Sequence, residues 1–303
     1  MSQAAQPRSP SAFGHQRDKS PGQGQDSFAA FEMLQACGIV VCDGVGSKPN
    51  SGDVSEAATT AAKALLQEHG WADDLVSRVN DQVSQFEARS TTLLAATGRS
   101  TDGGWLIDYA AVGNGSVIEI AAGDGHLNPW MWWTDHFVPQ VDFSTGKDTL
   151  TGALPCHSDE LTWTSGRIRA PYGPARVLLL CSDGIASVEN YRTGRMPDGS
   201  AWREIPDVLD ALLTAARQPL LDAAVETGTA RRLAQALAGT LDEFARAGRL
   251  DDDATFAALV LPPVVSPNHD TAERSPDGDE ADSNPPASTG PAPGQAAPHV
   301  QDF

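Results

Sequence analysis

Apolar positions along this chain fall into short runs that stop abruptly on glycine or aspartate. The run GIVVC at 38–42 ends on Asp43-Gly44, crosses Gly, Ser, Pro and Asn, and then enters a pattern with Val54, Ala57, Ala58, Ala61, Ala64 and Leu65 on one helical face. That spacing predicts a helix over 53–69, capped by Ser51 or Asp53 and ended by Gly70. Leu75, Val79, Val83 and Phe86 predict a second helix running to about Ala88. The period then changes. TTLLAAT (91–97), GWLIDYAAVG (104–113) and SVIEIAAG (116–123) are short, β-rich and broken by glycine, which predicts consecutive antiparallel strands. RVLLLC (176–181) and ATFAALVL (254–261) are fully apolar strands separated by Ala/Leu-rich helices from about 206 to 247. Strand clusters with helices set apart predict an α+β fold rather than an alternating β-α-β chain.

Composition narrows the picture. In 303 residues the formal net charge is −19, which argues against nucleic acid and anionic membrane surfaces as partners. Four cysteines do not make a disulfide framework, and Cys42 and Cys181 fall inside apolar runs, the pattern of small buried side chains in a reducing cytosol. No run reaches the roughly 18 residues a membrane span needs, and the N-terminus lacks an apolar signal region, so a cytoplasmic protein is expected. Residues 1–12 and the Pro-rich acidic segment 264–303 hold too little apolar surface to offset their ordering entropy, leaving 13–263 as the folded domain.

The chemistry lies at strand ends. Asp26 precedes SFAAF, Asp43 and Asp183 each end an apolar strand and are followed by glycine, and Asp251, Asp252 and Asp253 precede ATFAALVL. One Asp-Gly is ordinarily a turn. Several acidic strand ends in one chain would repel if brought together, unless divalent cations neutralise them. Oxygen ligands without His or Cys favour Mg²⁺ or Mn²⁺ over Zn²⁺.

In order, GQGQDSF, VVCDGVGSKPNSGDVSEAA, STTLLAA, AAVGNGSVIEI, VLLLCSDGIAS and DDDATFAALV resemble the motifs of the metal-dependent serine/threonine protein phosphatases of the type 2C family, bacterial branch, over residues 13–262. The resemblance implies a four-layer αββα sandwich, two central antiparallel sheets flanked by helices, with a two-metal site at one end. It implies that Asp43 bridges both ions, that the Gly44 carbonyl binds one, that Asp183 and Asp252 complete the other, and that Asp26 acts directly or through water. Asp252 is chosen because it lies three residues before Thr255, so that Asp253 takes the place of the family's asparagine. Two Mn²⁺ or Mg²⁺ ions would activate a water that attacks the phosphorus of phosphoserine or phosphothreonine in proteins, with no phosphoenzyme. Phosphorylated proteins, including a serine/threonine kinase and its substrates, are the implied partners.

Three departures qualify this. Asn114 stands where the family has an aspartate of a third, weaker metal site; a weakened site and a plain hairpin Asn-Gly turn both remain open. Val45 replaces a histidine common in eukaryotic members. No arginine stands five residues before Asp26, where Pro21 falls, so Arg17 is the candidate phosphate-binding residue. The segment from Asp124 to Pro171, with Trp130, Trp132 and Trp133, occupies the place of a variable flap. Rival phosphatase chemistries fail on residues. Asp43-Gly44-Val45 lacks the second aspartate of a haloacid dehalogenase, no cysteine has arginine six places on, and no Gly-Lys-Ser/Thr loop occurs. The remaining alternative is a catalytically impaired, phosphatase-like binding module.

Overall fold

β-branched and aliphatic residues that alternate faces build the sheets here, and glycine lets their neighbours close in. In the computed structural model the elements are β1 (Ser11–Arg17), β2 (Ser27–Met33), β3 (Ala36–Cys42), α1 (Ser51–His69), α2 (Leu75–Val83), β4 (Leu93–Thr101), β5 (Gly104–Val112), β6 (Ser116–Ala121), β7 (Trp132–Asp135), β8 (Val141–Asp142), β9 (Thr149–Leu150), β10 (Thr164–Pro171), β11 (Arg176–Cys181), β12 (Arg192–Arg195), β13 (Ala201–Glu204), α3 (Asp207–Leu221), α4 (Thr229–Arg246) and β14 (Ala254–Leu261). The structure describes residues 9–263 except 21, 46–49, 87–88, 122–131, 137–139, 143–148, 158–160, 172, 187–191, 196–200, 205–206 and 225–227. The expected tail at 264–303 lies outside the described residues, as does most of the expected N-terminal segment. β1 starts at Ser11, two residues inside that segment.

Two five-stranded sheets carry the fold, in the orders β1-β14-β11-β6-β7 and β10-β5-β4-β3-β2, and every pairing within them is antiparallel. Alternation along the strands divides the core into three layers. Ile39, Val41, Ile107, Leu178, Leu180 and Leu259 meet between the sheets. Val40, Cys42, Leu93 and Val112 point the other way, onto α1 and α2. Leu179, Phe256 and Ala258 pack on α3 and α4. This is the α+β sandwich expected, two sheets between helical layers. No helix among the described residues is long and apolar enough to cross a membrane.

Several local expectations are corrected. β5 and β6 do not pair: β5 lies between β4 and β10, while β6 lies between β11 and β7 in the other sheet. Gly113-Asn114-Gly115 is therefore a crossover between sheets and not a hairpin turn. Residues 164–171 are no flap; they form the edge strand paired with β5 along its whole length. Trp130 and the side chains of Trp132 and Trp133 lie outside the described residues. Helix α1 begins two residues earlier than expected, with Asn50 at the cap position and no side-chain capping bond. Ser51 instead donates to the Val45 carbonyl (3.0 Å), and Asp53 pairs with Arg89. The buried face of α1 includes Ser55 and leaves Ala64 exposed. Burial of Ser55 is satisfied by its hydroxyl, which donates to the Ser51 carbonyl (3.1 Å) and lies 3.0 Å from the Thr91 hydroxyl.

One buried charge ties β6 in place. Glu119, 3 % exposed, meets Arg176 of β11 at 2.6 Å and His136 at 2.9 Å. Burial pushes its carboxyl up, but His136 and Arg176 outweigh this and hold it below the usual range. Glu119→Leu, which strips Arg176 and His136 of their shared carboxylate, is expected to cost about 3–5 kcal/mol by urea denaturation at neutral pH. The contribution is fully present above the unfolded carboxyl's value of ~4.3 and is lost as pH falls through the lower folded value, so the gap between wild type and variant narrows in acid.

Candidate active site

Two threonines fix the first aspartate. As the chain leaves β3, the Asp43 N–H donates to the Thr92 hydroxyl (3.0 Å), and the Asp43 carbonyl accepts from the Thr91 hydroxyl (2.9 Å) and the Thr92 N–H (2.7 Å). Three bonds to one residue's backbone leave only the side chain free to act. Gly44 follows because the space is taken: a Cβ there would stand 2.8 Å from that of Ser51 and 2.9 Å from that of Gln25. Its N–H donates to the Gln25 carbonyl (3.2 Å), which joins the Asp-Gly turn to the segment before Asp26.

The second strand end is tied to the third. Ser182 N–H donates to the Thr255 carbonyl (2.9 Å) and Thr255 N–H to the Ser182 hydroxyl (2.9 Å), so Asp183 and the Asp251–Asp253 run arrive side by side. Gly184 admits no side chain, since a Cβ would lie 2.0 Å from the Asp253 carbonyl. Asn114, in the crossover, donates its amide to Asp183 Oδ2 at 2.7 Å. A carboxylate only accepts, so the amide nitrogen must face it.

These pieces line one cleft of about 510 Å³, with Asp43, Gly44, Asn114, Asp183, Asp252 and Asp253 among its walls, together with Lys19, Gln25, Thr92 and Leu150. Asp252 is exposed, and its Oδ1 accepts the Asp253 N–H (2.8 Å). Asp26 is buried beneath the wall at 7 % exposure, and neither of its oxygens has a hydrogen-bond partner of standard geometry. Burial raises its carboxyl to about 7, offset in part by neighbouring Asp43, Thr255 and Ser182. Asp43 is held well above the usual carboxylate range by burial and then by the charges of Asp26 and Asp183. Among the described residues no three His, Cys, Asp or Glu side chains close into a ready-made metal cage. The acidic groups instead approach in pairs, Asp26 with Asp43 and Asp43 with Asp183, and the orphaned oxygens of Asp26 and the mutual repulsion suit a hard divalent cation.

The structure thus brings Asp43, Gly44, Asn114, Asp183 and Asp252 to one cleft with Asp26 beneath it. It does not bring Arg17. Along β1, Phe13, His15 and Arg17 share the face toward α4, where Arg17 Nε meets Asp242 at 2.7 Å and His15 meets it at 2.6 Å. Among the described residues, the basic residue lining the cleft is Lys19, two residues on. Sequence reasoning missed it because residues 11–17 were not read as a strand; the alternation Phe13, His15, Arg17 carries the signal. The positioning role of Thr91 and Thr92 was likewise unread, although the Thr-Thr pair itself stood out.

The family model described as protein phosphatase 2C matches residues 14–242, and the chain belongs to that family. No curated protein matches the chain. Among solved structures, the chain is similar to the RsbU and RsbW domains of Rv1364c from Mycobacterium tuberculosis (17 % identity, TM-score 0.55), covering 86 % of this chain but only 62 % of that one. It is also similar to a bacterial serine phosphatase carrying a point substitution (14 % identity, TM-score 0.54; 84 % of this chain, 99 % of that one). A third similar structure is the catalytic domain of the serine/threonine protein phosphatase PstP in complex with 2 manganese ions (19 % identity, TM-score 0.49; 83 % and 98 %).

Repulsion within the cleft has a measurable consequence. With chelator present at pH 8, Asp43→Asn is expected to raise stability, by on the order of 1–2 kcal/mol, because one of the facing charges is gone. Thermal or urea denaturation checks the sign.

Proposed function

We propose that this chain hydrolyses phosphoserine and phosphothreonine esters of proteins, using Mn²⁺ or Mg²⁺ held by Asp43, Asp183, Asp252 and the Gly44 carbonyl, with Asp26 behind them. The observation that carries this reading is the convergence of strand-end carboxylates from both sheets on one cleft, where Asp43 faces the charges of Asp26 and Asp183. Bound there, a pair of divalent ions supplies an activated water and neutralises phosphate oxygens. The chain's own part is positional. Thr91 and Thr92 aim Asp43, Ser182 and Thr255 bring Asp183 beside Asp252, and Lys19 presents a positive charge to the phosphate at the cleft mouth. The catalytic unit in this reading is 13–263, and its partners are phosphorylated proteins.

The second reading, a binding module with impaired turnover, draws on the bond from Asn114 to Asp183. With an amide donor in place of a carboxylate, that position offers a weaker third site. Phosphate release from p-nitrophenyl phosphate and a phosphothreonine peptide, with and without Mn²⁺, separates the two. Turnover that requires the metal and falls by at least about 100-fold in Asp183→Ala, a barrier change of about 2.7 kcal/mol, supports the enzyme. Mn²⁺ binding by calorimetry without turnover supports the module. Lys19→Ala is expected to raise KM roughly 5-fold, about 1 kcal/mol, with little change in kcat, the loss of one solvent-exposed charge contact. Arg17→Ala should leave KM unchanged.

A further inference from the structure

The Asp253 carboxylate lies on the backbone leading from β1 to β2. One of its oxygens accepts the Lys19 N–H at 2.8 Å and the other accepts the Gln25 N–H at 2.7 Å. Two amides six residues apart are thus closed on a single side chain. Asp253 is itself seated firmly, its N–H on Asp252 Oδ1 and its carbonyl against Gly184, where no side chain fits. Beyond Gln25 the linkage continues, through the Gly44 N–H on the Gln25 carbonyl, into the Asp43-Gly44 turn.

We propose that Asp253 is a positioning residue: its two-pronged hold on the Lys19 and Gln25 amides sets Lys19 at the cleft mouth and couples that position to Asp252. This rests on the phosphatase reading for what Lys19 does, though not for the clamp itself. The carboxylate is specifically required. An asparagine has one accepting oxygen, and its NH₂ would face the other backbone N–H, donor against donor. An unmade bond of this kind loosens the segment locally.

The expected direction separates positioning from simple electrostatics. Removing a negative charge from the cleft would by itself favour an anionic substrate and lower KM. Freeing Lys19 raises it. In Asp253→Asn and Asp253→Ala, KM for the phosphothreonine peptide is expected to rise about 3- to 10-fold with kcat within about 2-fold of wild type. In a Lys19→Ala background the same substitutions should add less than about 2-fold, since both act through one side chain. Amide hydrogen exchange at Lys19 and Gln25, read without substrate, should quicken by about tenfold or more while the β3 amides stay protected, which also shows that the variants fold. Unchanged exchange, a lowered KM or additive effects would overturn the proposal. If wild type shows no turnover, exchange alone decides: quickened amides keep the clamp while the phosphatase reading falls, and unchanged amides remove the clamp.

Discussion

Like charges gather in this cleft because the backbone compels them to, and much of the architecture exists to apply that compulsion. Asp43 ends a strand of one sheet, and Asp183 and the Asp251–Asp253 run flank strands of the other. Left to themselves the carboxylates would turn outward to water. The apolar layer between the sheets, with Ile39, Val41, Leu178, Leu180 and Leu259, opposes this. Each such side chain contributes roughly 1.5–3 kcal/mol on burial, so a handful exceeds the repulsion of a few partly hydrated charges. The electrostatic strain is concentrated at Asp26 and Asp43, where burial and facing carboxylates both push the carboxyls upward.

The same logic explains why small residues crowd the strand ends. Gly44 and Gly184 stand where a single methyl group would collide with Gln25 or with the Asp253 backbone. They are there so that three segments can meet closely enough for their carboxylates to share a cleft. Thr91 and Thr92 answer the complementary need, since the backbone of Asp43 must be satisfied by something that leaves its carboxylate free.

Local pattern carried the parts of this fold that local pattern governs. β11 and β14 are legible to the residue in RVLLLC and ATFAALVL, because a strand buried on both faces is apolar throughout. β1 was not legible: its seven residues are all half-buried and mix Phe13 with His15, Gln16 and Arg17, so no apolar run announces it. The misplacement of Arg17 follows directly, since a residue's face can be assigned only once its strand is known. The crossing of β6 to the other sheet was hidden for a different reason. Gly113-Asn114-Gly115 has the composition of a hairpin turn, and only the pairing partners of β5 and β6 distinguish a turn from a crossover. Asp43, Asp183 and Asp252 could be picked out because an acidic residue ending an apolar strand needs a reason to be there. Lys19 could not, because a lysine in a polar connection needs none.

Asn114 and Asp253 belong to one argument. Against the family pattern the chain resembles, a carboxylate is replaced by an amide at 114, and an amide by a carboxylate at 253. The formal charge around the cleft is unchanged, but it has moved. At 114 a charge would face Asp183 directly; the amide there donates to it instead. At 253 the charge is turned onto two backbone N–H groups, which stabilise a carboxylate without any metal. The amide at 114 relieves Asp183 of a facing charge, whereas the Asp253 charge still pushes the Asp26 carboxyl upward, so Asp26, Asp43 and Asp183 remain opposed. With Asn114 on Asp183 and Asp253 on the Lys19 and Gln25 amides, these strand ends are tied to their neighbours by bonds that the protein supplies itself.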